Sequence, residues 1–86
     1  MFYTVYILYS LKDKKLYVGC TSDLEKRLKR HNLGHVKATS SRRPLELIRS
    51  ENYQDKTKAF NRERFLKSLW GAREKKKILK KFLDKG

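Results

Sequence analysis

The chain has few of the residues that staple or break small folds. Its 86 residues include a single cysteine, Cys20. An internal disulfide framework and a cysteine-built zinc site are both excluded. One proline and four glycines leave few obligatory breaks. Acidic residues are scarce as well, with nine Asp and Glu against 23 Lys and Arg, for a formal net charge of +14 at pH 7. Long apolar runs are missing: Val5 to Tyr9 is far short of the ~20 residues a membrane span needs. No basic segment followed by a long apolar stretch opens the sequence, so a soluble, cytoplasmic protein without a secretory signal is expected. Nothing looks like a zinc cluster, a Walker loop or a Ser-His-Asp triad.

What remains is a short, basic, aromatic-rich chain. Its length fits one domain, residues 1–86, with a small core that buries ~60–65% of the unfolded surface. Aromatic residues make up 12% of it, enough to build that core. The strong positive field attracts polyanions and speeds their encounter, so nucleic acid is the expected partner. Cys20 follows Gly19 at a turn and reads as a small buried filler.

Residues 2–9, FYTVYILY, are aromatic and β-branched and carry no charge, which predicts a strand covered on both faces. A polar turn, SLKDKK, separates it from a second strand at Leu16 to Gly19, and the two suit a hairpin. Ser22 and Glu25 have capping-box spacing ahead of a helix that runs to about Asn32, with Gly34 as its stop. Residues 34–44, GHVKATSSRRP, form a loop of hydroxyl, basic and small residues. It suits either phosphate contacts or a solvated connector. Leu45 to Ser50 alternates as a third strand. Asp55 can cap a second helix, to about Trp70, with Ala59, Phe60, Leu66 and Trp70 on one face. Gly71 should interrupt it. A basic third helix follows from about Ala72 to Leu83, with Ile78, Leu79, Phe82 and Leu83 inward. Its lysines form a solvated face or track a phosphate backbone. The order β-β-α-β-α-α predicts an α+β fold, a three-stranded, mainly antiparallel sheet flanked by helices.

Five polar residues stand where apolar ones belong. On a wheel of ~100° per residue, Leu24 and Leu28 mark the buried stripe of the first helix, and Arg27 and His31 flank it one turn apart. Glu63 lies between Ala59 and Leu66 on the apolar face of the second helix. It is either half of a salt bridge to Arg27 or Lys67, or a metal ligand. Tyr6 and Tyr17 fall on adjacent strands, where pairing can bring their hydroxyls together. Ionisable groups in such places cost free energy unless they are paired or used. Phosphodiester hydrolysis uses this kind of set. A guanidinium balances charge on phosphorus oxygens, a carboxylate with waters holds a divalent ion, and a phenol or imidazole handles the proton of an attacking water.

Thr4-Val5-Tyr6 and Tyr17-Val18-Gly19, followed by Arg27, His31 and Glu63, resemble the GIY-YIG nuclease domain. HNLG at 31–34, SRRPLELI at 41–48 and FNRERFLKS at 60–68 extend the likeness over almost the whole chain. It is strongest to small stand-alone bacterial proteins related to the nuclease module of the excinuclease C subunit. The resemblance implies a one-metal endonuclease acting on DNA phosphodiesters, in repair or processing. It implies that Tyr6 or Tyr17 activates water, that Arg27 stabilises the transition state, and that His31 aids proton transfer or orients the phenol. Glu63 would bind Mg2+ or Mn2+, and Gly19 would permit a tight approach of strand to helix. A basic residue also precedes the second motif in relatives, which points to Lys15, with Lys14 as alternative. Lys15, Lys37, Arg42, Arg43 and Lys67 are the expected DNA contacts. Thr4 replaces the leading glycine of the first motif. No separate DNA-binding domain is present, so specificity would come from the basic surface or from a protein partner. A non-catalytic DNA- or RNA-binding module, or an interaction subunit, is the alternative.

Overall fold

A computed structural model describes residues 2–85. Three strands, β1 (Tyr3–Ser10), β2 (Leu16–Thr21) and β3 (Leu45–Tyr53), form one antiparallel sheet in the order β2-β1-β3. Three helices accompany it: α1 (Leu24–Asn32), α2 (Lys56–Lys67) and α3 (Leu69–Asp84). The element order and the α+β class are those expected. No helix among the described residues is long and apolar enough to cross a membrane.

The uncharged β1 takes the central place, and Thr4 to Ser10 are all buried. Its alternation divides the interior in two. Val5 and Ile7 join Val18 of β2 and meet Ala59 and Leu66 of α2 and Ile78 of α3 in the main core. Tyr6 and Ser10 point the other way, toward α1 and the loop that follows it. β3 carries one extra residue at the register shift between Ile7 and Leu8. It also runs three residues past Ser50, because Glu51, Asn52 and Tyr53 continue the ladder opposite Val5, Thr4 and Tyr3.

Asp23, not Ser22, caps α1, and its carboxylate accepts from the Lys26 amide at 3.1 Å. Both residues can cap, and the carboxylate gains more from the positive end of the helix dipole. The capping box is therefore replaced by an aspartate cap. Gly34 stops α1 as expected, at φ 81°. Asp55 caps α2 by accepting from Thr57 and Lys58.

The break between α2 and α3 lies at Ser68, not at Gly71. Ser68 is extended, and its hydroxyl donates to the Phe65 carbonyl at 2.6 Å. Trp70 consequently belongs to α3 and is 83% exposed, away from the face of Ala59 and Leu66; Phe60 is half-exposed. Leu83, placed inward by periodicity, is also exposed, because only the Ile78 side of α3 reaches the sheet. Gly71 is buried inside α3. A Cβ there would stand 2.6 Å from the Leu66 Cα and would also meet the Phe65 carbonyl. This glycine serves the close packing of one helix on the next. Cys20 is half-buried and packs against the core from β2, less enclosed than expected.

Glu51 ties β3 to both long helices. It accepts from Arg62 at 2.8 and 3.1 Å, from Arg49 at 2.9 Å and from Tyr53 at 3.0 Å, and Arg62 also pairs with Glu74. Burial opposes ionisation of Glu51, yet these donors bring its carboxyl down to about 2.

Gly71→Ala should lower stability by about 1–3 kcal/mol, the usual cost of overpacking. A lower urea midpoint at unchanged slope is the expected outcome. An unchanged midpoint would contradict the packing role.

Candidate active site

Three aromatic rings meet on the α1 side of the sheet. Tyr6 stands on β1 opposite Gly19 of β2, and Tyr17 lies two residues further along β2, on the same face. The two phenol rings are 6.3 Å apart, centroid to centroid. The His31 ring, carried by the last turn of α1, sits 5.7 Å from Tyr6 and 5.2 Å from Tyr17, edge-on to both.

The motif glycine explains how Tyr6 fits. A Cβ on Gly19 would lie 2.5 Å from Tyr6 Cζ and would also meet the phenol oxygen. The close approach expected of Gly19 is therefore to the facing phenol across the hairpin, not to a helix.

His31 is fully buried and hydrogen-bonded at both nitrogens. Nε2 lies 3.0 Å from the Tyr6 hydroxyl, and Nδ1 lies 2.7 Å from the Thr39 hydroxyl. Thr39 is itself fully buried. Its backbone accepts from Arg42 at the end of a 3-10 turn, Ser40–Arg42, which holds the loop against the sheet. The post-α1 loop thus has a structural task at Thr39. Sequence pattern does not single out this residue; its only signal is a hydroxyl type within a small-residue stretch.

This enclosure sets the charge states. Burial, then the Arg27 and Arg30 guanidinium groups, lower the proton affinity of His31. The imidazole is neutral at neutral pH. Burial, followed by the nearby Tyr17 phenol, pushes Tyr6 far above the ordinary phenol range, with Arg27 pulling down and Glu63 pushing up. Tyr6 is therefore a neutral phenol at rest. Every buried side-chain nitrogen and oxygen among the described residues has a partner.

Arg27 is half-buried and makes no ion pair among the described residues. It lines a recess of about 350 Å3 at the start of α1, with Thr21, Ser22, Asp23, Lys26 and Arg30. Lys26 and Arg30 fall on the solvent side of the helical wheel, yet they share that recess.

Glu63 projects from α2, one-fifth exposed, and accepts from Lys67 at 2.9 Å. One of the two salt bridges expected for it forms, and the one to Arg27 does not. Its charge still acts on Tyr6 and on Cys20, as does that of Arg27. The described residues contain no cluster of three His, Cys, Asp or Glu able to hold a metal. A Mg2+ site here fits only the sparse kind, one carboxylate completed by waters and a phosphate.

The expected DNA contacts divide. Lys15 and Lys37 are exposed. Arg42 is held by Asp13 at 2.6 Å, and the Asp13 carboxyl lies near 2 in consequence. Arg43 donates to the Ser40 and Asn32 carbonyls, binding the loop to the end of α1. Lys67 is paired with Glu63. These three cations have internal partners, because loop and helix neighbours bring acceptors to them.

A family model described as the GIY-YIG catalytic domain matches residues 2–77. The chain belongs to the GIY-YIG family. The two tyrosines, Gly19, Arg27 and Glu63 are thus residues of a GIY-YIG domain, a nuclease family. A UPF0213 protein of Clostridium perfringens is 46% identical over 66 residues, covering 76% of this chain and 70% of that one. The UPF0213 protein YazA of Bacillus subtilis is 44% identical over 68 residues, covering 78% and 67%. The solution structure of a UPF0213 protein from Bacillus halodurans has a TM-score of 0.56 at 32% identity, covering 93% of this GIY-YIG chain and 84% of that one.

The depressed His31 makes stability depend on pH. The unfolded histidine protonates near 6.5 while the folded one resists, so stability is complete above that value and falls below it. The decline is at most about 1.4 kcal/mol per pH unit. Urea midpoints of His31→Gln should be nearly flat between pH 6.5 and 5, where wild type declines. Parallel curves would show that His31 is not held neutral. The carboxyls of Asp13 and Glu51 act at lower pH, where stability falls from their unfolded values of 3.8 and 4.5 down toward about 2.

Proposed function

We propose that the chain is a divalent-metal-dependent endonuclease that hydrolyses DNA phosphodiesters, in repair or another DNA-processing step. The observation that carries this reading is the dry hydrogen-bonded series Tyr6–His31–Thr39 beside the cationic recess that contains Arg27. A merely structural core histidine needs no free guanidinium at its side.

The recess draws in a phosphate. Arg27 offers a planar fork of donors to its oxygens and balances charge that grows on them as water attacks. Lys26 and Arg30 add to the local field and set the approach of the strand. Tyr6 moves the proton. A phenol held so far above its ordinary range does not serve as a standing phenolate. Being buried, it does not meet the water itself: the less buried Tyr17 beside it accepts the water's proton as its own passes to Tyr6 and the Tyr6 proton passes to His31 Nε2. For that, Nδ1–H donates to the Thr39 hydroxyl, which leaves Nε2 as the acceptor. Thr39 is a positioning residue because it holds the Nδ1 edge of the ring and so aims Nε2 at Tyr6. Tyr17 orients the water from the exposed side of the ring cluster.

Glu63 would hold the metal, which on binding supplies charge stabilisation to phosphate and leaving oxygen. Its present partner, Lys67, must then release it. This exchange is feasible because the pair is an exposed i,i+4 contact worth only ~0.3–0.5 kcal/mol. A single carboxylate gives weak affinity, so metal and phosphate should bind together. A non-catalytic nucleic-acid-binding module would use the same basic surface, but it gives no role to a carboxylate whose charge acts on Tyr6.

Labelled single-stranded, duplex and branched DNA, incubated with Mg2+ or with chelator, tests this reading. Cleavage should require the metal. Glu63→Ala should lower it by at least ~100-fold, the order expected when one charge-stabilising group is removed. Binding of uncleaved DNA should be unchanged or slightly tighter. Equal cleavage by Glu63→Ala and wild type, with contaminating nuclease excluded, would overturn the nuclease reading.

A further inference from the structure

A second recess lies beyond the central strand, between β3 and α3, with a volume of about 440 Å3. Its floor is apolar, formed by Ile48, Ile78 and Phe82. Its α3 rim carries Lys77, Lys81 and Lys85. None of these lysines enters an ion pair among the described residues. The one acid at the rim, Glu74, is held by Arg62. None of these residues takes part in the proton chain or the Arg27 recess. The latter is formed by Thr21 at the end of β2, the turn after it and the start of α1, on the other side of the sheet order.

The three lysines recur at i, i+4 and i+8 along α3 and its C-cap, Lys85, so they stand about 6 Å apart along the axis. That spacing resembles the separation of successive phosphates on one nucleic-acid strand. Trp70 belongs to the same stripe. At ~100° per residue it falls within about 20° of both Lys77 and Lys81. It is 83% exposed, and no packing within the chain explains an indole left in water. An apolar floor, a regular cationic edge and an unburied aromatic are the parts by which proteins hold unpaired strands. A duplex presents phosphates outward and would leave the floor and the indole idle. Its stacked bases offer no face to Trp70.

We propose that the α3–β3 cleft, with Trp70 at its head, is a binding site for an unpaired nucleic-acid strand. The strand's phosphates lie along Lys77, Lys81 and Lys85, and a base stacks on Trp70. The site does not rest on the nuclease reading, because it needs neither metal nor Glu63. Where both readings hold, the unpaired arm of a branched substrate is anchored at one edge of the sheet and the duplex arm is presented to Arg27 at the other.

Trp70 is the only tryptophan, so its emission reports directly on the site. The full chain is titrated, without divalent metal, with a short oligothymidylate and separately with a duplex, at several salt concentrations. Oligothymidylate should quench Trp70. Lys77→Glu/Lys81→Glu should weaken oligothymidylate binding at least tenfold and lower the salt slope by ~1.4, about 0.7 for each phosphate no longer neutralised. A charge-matched control, Lys12→Glu/Lys58→Glu, should weaken it less than threefold. Trp70→Ala, read by anisotropy, should weaken the single strand about tenfold with little effect on duplex. Circular dichroism checks that each variant folds. Four results would each overturn the site: unmoved emission at saturation; a cleft variant no weaker than its control; equal weakening on duplex and single strand; displacement of the strand by polyglutamate at equal charge, which would mark an unspecific polyanion surface.

Discussion

The contact between the Tyr6 hydroxyl and His31 Nε2 holds the candidate site together. It joins the central strand to the end of α1 through two groups that water does not reach. An unmatched imidazole in that position would cost several kilocalories per mole of desolvation, so the bond demands a second acceptor or donor at Nδ1. Thr39 supplies it, and supplying it fixes the path of the loop after α1. Loop, helix and hairpin are thus placed by one chain of side-chain hydrogen bonds. The same chain requires Gly19, since any larger residue facing Tyr6 would displace the phenol.

The parts of the fold set by local pattern were legible in the sequence. An uncharged aromatic and β-branched run can only be interior strand, and β1 is that. Aspartate ahead of an apolar repeat marks the start of α2. The odd polar positions were legible too, because Arg27 and His31 break an amphipathic wheel. Three things were not. Ser68 ends α2 through its own hydroxyl, a choice that depends on the angle at which α3 must cross. Gly71 reads as a breaker in one dimension and as a packing surface in three. Thr39 has almost no sequence signature beyond its hydroxyl, since its meaning is a partner eight residues back that only the folded loop brings within 2.7 Å. The site was readable where function breaks a periodicity, and silent where function is support.

Acidic residues are few, and most are already committed. Asp23 and Asp55 cap helices, while Asp13, Glu51, Glu63 and Glu74 enter ion pairs. Six of the nine acids thereby have structural partners. Only Arg42, Arg49, Arg62 and Lys67, of 23 basic residues, share those pairs among the described residues. The arginines do the internal work, where a rigid fork of donors matches a carboxylate, and lysines dominate the exposed faces. The positive field is therefore not an incidental excess. It is what remains after the fold has used most of the negative charge it has.

Such a field alone attracts any polyanion and discriminates among none. Discrimination needs shape, and among the described residues charge is focused in a recess on each side of the central strand. They differ in lining. The α1 recess is polar, lined by the Arg27 and Arg30 guanidinium groups, and suits a phosphate. The α3 cleft has hydrocarbon beneath its lysines and suits a strand that is only held. Under both proposals, a reactive pocket and a passive groove stand on opposite flanks of one buried strand, and the fixed distance between them would select among nucleic-acid structures by shape.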